Sequence, residues 1–304
     1  MKIIRVFLRR NSYTPKDAYA FYGLPPLLQL IPEHDEIHIS CVFTWDRAKC
    51  EELAFQWEGQ TNKPVKIGGP AFGSQADSFV QGMYIKPNII FTTRGCNNQC
   101  PWCIVQKLEG NLKELPICPG NIIQDNNFLQ ASQTHREKVF EMLRKQSGIC
   151  FKGGLESKLI DDDFINSITS LRIKELWLSC DTDETLPALK KAVTKLAKAG
   201  FTKEKIRCYA LIGDNIEKNE ARLREIYQAG AMPFAQLYRD YTDNKTIYSP
   251  SWNAFARTWQ RPALTKAHME RGTLPTGLLY NSSRNEATPP KNYEQLSLQT
   301  AGGG

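Results

Sequence analysis

The chain has 304 residues, enough for one large domain beside a smaller one, each with an interior of its own. It is 41% hydrophobic and 23% charged, a globular balance, and no apolar run nears the length of a membrane span, which argues against a membrane partner. The formal net charge of +7 leans mildly toward polyanionic partners, and nine cysteines without scaffold spacing argue against a secreted disulfide framework and for a reducing cytoplasm.

Residues 1–10 hold only Ile3-Ile4 and Val6-Phe7-Leu8 as apolar runs, too short for a signal peptide, and read as a first strand over 2–8. Residues 36–43 alternate Ile37, Ile39, Cys41 and Phe43, the pattern of a half-buried strand. Residues 45–57 have helical spacing, with Leu53, Ala54 and Trp57 on one face and Asp46 as the expected cap. Residues 64–70 read as a strand entering a glycine turn. This order predicts a small parallel α/β domain over 1–86, with Cys41 and Cys50 in its core and His34 and His38 as ordinary surface or strand residues.

Next comes Ile89-Ile90-Phe91, a short buried strand, then Thr92-Thr93-Arg94-Gly95 and Cys96-Asn97-Asn98-Gln99-Cys100-Pro101-Trp102-Cys103. Three thiols spaced C-x3-C-x2-C thus sit on a loop leaving a strand, where α/β folds place their chemistry. Thiolates are soft ligands for zinc or iron–sulfur clusters, and three cannot close a four-coordinate site. A cubic cluster on Cys96, Cys100 and Cys103 would leave its fourth iron open. Other readings are a zinc site completed by Cys118 or His135, a redox dithiol at Cys100-Pro101-Trp102-Cys103, or plain buried cysteine.

Residues 121–124 read as the next strand and 133–146 as an amphipathic helix. Residues 148–151 form a strand opening into a turn at Lys152-Gly153-Gly154-Leu155-Glu156. Helices over 161–171, 183–199 and 215–229 alternate with strands over 175–179, 206–212 and 233–238. Six β/α units are too few to close an eight-fold barrel.

The cysteine spacing, with Trp102 just before the third thiol, resembles the signature of the radical S-adenosylmethionine (SAM) superfamily. The resemblance implies an α/β fold, a partial parallel (β/α)6 TIM-like barrel over 87–240 beside the small N-terminal α/β domain. It implies a [4Fe-4S] cluster on Cys96, Cys100 and Cys103 and an open iron that chelates SAM. It also implies a one-electron reductant such as flavodoxin or ferredoxin, and cleavage of SAM to a 5′-deoxyadenosyl radical that abstracts a substrate hydrogen. Uncharacterised phage and bacterial sequences of this kind share the Gly153-Gly154-Leu155-Glu156 stretch and Arg257-x-Trp259-x-Arg261-Pro262-Ala263. Ile67-Gly68-Gly69-Pro70 resembles a turn of the cobalamin-binding domains that precede some radical SAM domains. His34 and His38 do not match the cobalt-ligand motif, so no cobalamin is expected.

By the same resemblance, Gln124, Asp125 and Asn126 meet the methionine end of SAM. Glu156 and Lys158 meet its carboxylate, ribose or sulfonium, Ser179 and Asp181 its ribose hydroxyls, and Leu211, Ile212 and Gly213 its adenine, with Trp102 beside the cluster. Asp, Asn, Ser and Gly in these places equally form turns and caps. Arg94 is placed to neutralise the cluster or bind an anion, or to form a surface ion pair, and Cys118 to serve as a thiyl site or auxiliary ligand. Trp252, Arg257, Trp259 and Arg261 interleave aromatics with cations over a helical cap at 241–271, fit to stack bases and neutralise phosphates, or simply to close the barrel. Residues 272–304, rich in Thr, Pro, Asn and Ser, read as an extended or disordered tail. The expected reaction is hydrogen abstraction from a nucleic-acid base or nucleotide, with a small metabolite or peptide as other substrates. The alternatives are a non-catalytic zinc or iron–sulfur nucleic-acid-binding protein and a thiol–disulfide oxidoreductase.

Overall fold

Two runs of alternating or wholly apolar strands build two parallel sheets. The computed structural model describes residues 1–27, 30–73, 80–239 and 246–271; the tail expected over 272–304 and the first residues of the expected cap lie outside these. The first sheet has the order β2-β1-β3-β4, formed by β1 (Ile3–Phe7), β2 (Ala20–Tyr22), β3 (Glu36–Ser40) and β4 (Val65–Gly68). Helix α1 (Arg47–Glu58) buries Leu53, Ala54 and Trp57 against Ile4, Val6, Ile37 and Ile39. Each such side chain contributes roughly 1.5–3 kcal/mol of hydrophobic stabilisation. Asp46 stands at the N-cap position of α1 but makes no capping bond; its carboxylate accepts from Arg9 Nη2 instead. The strand expected over 36–43 ends at Ser40, where Cys41 turns its thiol onto the carbonyl of Phe43.

The second sheet holds β5 (Ile89–Ile90), β8 (Ile122–Ile123), β9 (Ile149–Glu156), β10 (Ile173–Ser179), β11 (Ile206–Ile212) and β12 (Met232–Leu237), in chain order from β5 to β12 and parallel throughout. Between β5 and β8 lie β6 (Thr93–Arg94), α2 (Val105–Glu109) and β7 (Lys113–Glu114), with β6 and β7 paired antiparallel. Helices α3 (Gln133–Arg144), α4 (Asp162–Thr169), α5 (Leu186–Lys198) and α6 (Ile216–Ala229) follow β8, β9, β10 and β11. Strand β11 shows the two faces plainly. Ile206, Cys208, Ala210 and Ile212 are fully buried in the core with Leu189, Val193, Leu223 and Ile226, while Arg207, Tyr209 and Leu211 are half-buried on the other face.

The Gly153-Gly154 turn is not a turn. β9 continues through it to Glu156, with a bulge that sets Phe151 against Leu176 and Leu155 against Leu178. Glycine is required there because a Cβ on Gly153 would lie 1.6 Å from the carbonyl oxygen of Asp125. The bulge therefore brings β9 backbone to backbone against the end of β8.

The cap is α7 (Pro250–Gln260) and α8 (Pro262–Arg271). Trp252 and Trp259 are 5% and 0% exposed, so neither offers a face for base stacking. Trp259 donates its indole N–H to Glu220 at 2.8 Å, and Glu220 also receives Arg224 and His268, which ties the cap to α6. Arg257 and Arg261 stay exposed. Among the described residues no helix is long and apolar enough to cross a membrane.

Gly153→Ala is expected to cost about 3 kcal/mol or more, because backbone blocks the new methyl. Gly154→Ala, whose Cβ meets nothing closer than Tyr209 at 3.8 Å, should cost only about 1–2 kcal/mol through its positive φ. Denaturant midpoints of the two variants measure the difference.

Candidate metal centre at the cysteine loop

The cysteine loop hangs from a closed stem. Gly95 has φ +78°, and a Cβ there would lie 2.3 Å from the carbonyl oxygen of Asn111. Cys96 N–H donates to the Gly110 carbonyl at 3.1 Å, Leu112 N–H to Asn97 Oδ1 at 3.0 Å and Leu115 N–H to the Thr92 carbonyl at 2.9 Å. Glu109 locks the stem from within. It accepts from Gly95 N–H at 2.9 Å and from Asn126 Nδ2 at 2.6 Å, and it pairs with Arg94. Arg94 and Asn126 are thereby spent on the stem, and Arg94 also stacks 4.6 Å over Phe91.

The three thiols are half-buried and free. Burial pushes Cys100 up to about 11, and the neighbouring Cys103 and Cys96 add to the rise. Burial likewise raises Cys103. Cys96 sits in a ring of amides: Asn98 N–H lies 3.4 Å and Asn127 Nδ2 3.8 Å from its sulfur, which points at Gln130 Oε1 at 3.7 Å. Among the described residues no three His, Cys, Asp or Glu side chains are already drawn to metal-ligand spacing. His135 turns to Glu114 at 3.6 Å, and Cys118 is half-buried on the segment between β7 and β8.

Glu156, at the end of β9, joins this ring. Its Oε2 accepts from Asn98 at 2.9 Å, Asn127 at 2.7 Å and Gln130 at 3.2 Å, while Lys158 pairs with Oε1 at 2.7 Å. Burial works against its charge, yet Lys158, Asn127 and Asn98 together hold the carboxyl below its usual range. Asn98, Asn127 and Gln130 were not foreseen from sequence. Amides on loops are ordinary turn formers, and only the tertiary fold brings three of them to one oxygen.

Other expected contacts fall differently. Asp125 is 2% exposed and accepts from both the N–H and the hydroxyl of Thr92, so it staples β8 to the end of β5 and offers nothing to a ligand. Burial pushes its pKa up to about 6. Gln124 reaches the Lys152 carbonyl at 3.5 Å, leaving its Oε1 buried and, among the described residues, without a donor; Asn127 Oδ1 is in the same state. Asp181 receives Leu211 N–H at 3.0 Å and the Trp102 indole, linking the cysteine loop to β11; burial raises it against these bonds and the Arg222 charge. Ser179 accepts from Ser157 Oγ through its carbonyl at 3.2 Å. Ile212 is fully buried, Gly213 is covered by the Tyr248 hydroxyl, and the Leu211 carbonyl is taken by Arg222, so the expected adenine slot is largely filled by the chain itself.

The site thus holds three soft donors on one preformed loop, amide N–H groups around the sulfur of Cys96, and two buried acceptors lacking donors. This set fits a three-thiolate cluster whose remaining position takes a polar ligand.

Glu156→Ala should strand three amides at once, at a cost of about 2 kcal/mol, and speed backbone hydrogen exchange across residues 95–100. The folded protein holds the Asp125 proton up to about 6, whereas an unperturbed carboxyl releases it at 3.8. Between those values the folded state binds the extra proton, so this contribution to stability is largest at the acid end and falls as pH rises to 6. Denaturation of wild type and Asp125→Asn at pH 4–7 should show wild type losing stability relative to the variant across that window, then levelling.

No protein-family model matches the chain, and no curated protein matches it in sequence.

Proposed function

We propose that the protein is a radical SAM enzyme. The observation that carries this reading is the C-x3-C-x2-C loop mounted on a closed stem at the C-terminal end of a parallel sheet whose strands run in chain order. Crossovers of the usual right hand, in an order without reversal, would set successive helices on one face, as in a partial (β/α)6 barrel. Its inner face is then the half-buried one of Arg207, Tyr209 and Leu211.

Cys96, Cys100 and Cys103 would hold three irons of a [4Fe-4S] cluster and leave one for the amino and carboxylate groups of SAM. Cluster and SAM, when bound, would supply reductive cleavage of SAM and hydrogen abstraction from an unreactive carbon. The chain's own part is positioning. Glu156 and its amides fix the Cys96 side of the loop, and Asp181 holds its Trp102 side. Gln124 Oε1 and Asn127 Oδ1 are acceptors suited to an ammonium group. All nine cysteines are free, as a reducing cytoplasm would keep them, and the electron would come from a small carrier such as flavodoxin or ferredoxin.

The base-stacking support for a nucleic-acid substrate goes with the burial of Trp252 and Trp259.

Anaerobic reconstitution with iron and sulfide, reduction and addition of SAM should give about four irons per chain and release 5′-deoxyadenosine. A Cys96/Cys100/Cys103→Ala variant should do neither. Zinc binding with SAM left intact refutes the proposal.

A further inference from the structure

Two cations share one aromatic ring on the half-buried face of the second sheet. Arg207 Cζ lies 5.1 Å and Lys152 Nζ 5.6 Å from the ring centroid of Trp177. Strand pairing fixes the arrangement: Trp177 sits opposite Arg207, and Lys152 enters from the β9 bulge. Glu175 is the carboxylate of the group. It accepts the Trp177 indole N–H at 2.9 Å and pairs with Lys152 at 3.3 Å. Two cations against one carboxylate leave a net positive charge in a half-buried place.

Arg207 carries that surplus. Its Nε is buried without an acceptor among the described residues, and its guanidinium meets the Trp177 ring and the distant Glu175 charge. Desolvating a guanidinium without giving it acceptors is costly, and its planar fork matches an oxyanion with two parallel hydrogen bonds. Tyr209 packs 4.5 Å from Trp177 and donates its hydroxyl to the Lys152 carbonyl at 3.1 Å, which keeps the ring and the bulge in register.

We propose that Arg207 and Lys152 receive an oxyanion of the substrate, a carboxylate or phosphate, on this face. Calling the ligand substrate rests on the radical SAM reading above. The pairing of Ser179 with Glu156 places the Glu156 rung two residues along from the Trp177–Arg207 rung, roughly 7 Å toward the cysteine loop. An anion seated on Arg207 therefore leaves the rest of the ligand directed at that loop. The site selects molecules with an acid group set back from the reacting carbon.

The test is calorimetric titration of the full-length, iron-reconstituted, unreduced protein with inorganic phosphate, with succinate, with a single-stranded oligonucleotide and, in parallel, with SAM. At least one of the three anions should bind saturably. Arg207→Met should weaken that binding tenfold or more, and Arg207→Lys, which keeps the charge and loses the fork, by less. Phosphate alone marks a phosphorylated small molecule, succinate a carboxylic acid, and the oligonucleotide alone a nucleic-acid backbone. If Arg207→Met does not fold, Arg207→Lys and Lys152→Met carry the comparison. Absence of binding by all three anions, or binding unchanged in the variants, overturns the proposal. So does an Arg207→Met that weakens SAM as much as the anions, because Arg207 would then serve SAM. The titrations need no turnover, so failure to release 5′-deoxyadenosine with anion binding intact refutes the enzyme class and leaves the anion site standing.

Discussion

One carboxylate oxygen, Glu156 Oε2, takes hydrogen bonds from three amides that come from two different segments. Asn98 belongs to the cysteine loop; Asn127 and Gln130 follow β8; Glu156 itself ends β9. A buried charge with three donors and a lysine on its other oxygen is stable only if all of them stay in place. The position of Cys96 relative to the sheet is thus set by satisfying one acceptor, and the Gly153 bulge that brings β9 against β8 is what makes the meeting possible.

The two sheets use parallel pairing to different ends. In the first, β2 and β3 flank β1, and a compact core around Trp57 holds the unit together. In the second, the strands follow chain order, and one face packs on helices while the other keeps Lys152, Glu175 and Arg207 half-exposed around a buried Trp177. Charged groups persist on that face because they are paired or stacked there: Glu175 with Lys152, and Arg207 on Trp177. The segment between the two sheets is tied to both. Arg5 of β1 donates to the Met83 carbonyl at 2.7 Å, and the Gln81 side chain bonds both backbone groups of Phe91, beside β5.

Much of the architecture was legible in the sequence because it rests on local pattern. Ile206–Ile212 alternates as a half-buried strand must, and Asn215 caps α6 by accepting from Lys218 N–H at 2.7 Å. The cysteine spacing is likewise a local fact. β2 escaped because three half-buried edge residues carry no period, and β6 and β7 because two-residue strands have none. Gly-Gly ordinarily ends a strand, so a bulge running through it needs the neighbouring strand to be seen. Trp252 and Trp259 left two readings open for a related reason: helical spacing says which residues share a face, and the same spacing serves a core or a binding surface. Among expected ligand contacts, Arg94, Asp125 and Asn126 proved to be committed to Glu109 and Thr92, partners that only folding assigns.

The stem of the cysteine loop bears on how a metal would be taken up. The β6–β7 ribbon and the Gly95 contact with Asn111 close the loop with the protein's own hydrogen bonds. Loop-closure entropy is therefore spent during folding and not at the moment of metal entry. A loop closed in advance would leave only its side chains to order around a metal, and losing that metal would not unravel the sheet beneath. A metal taken up there would in this respect differ from that of small zinc modules, whose fold and metal stand or fall together.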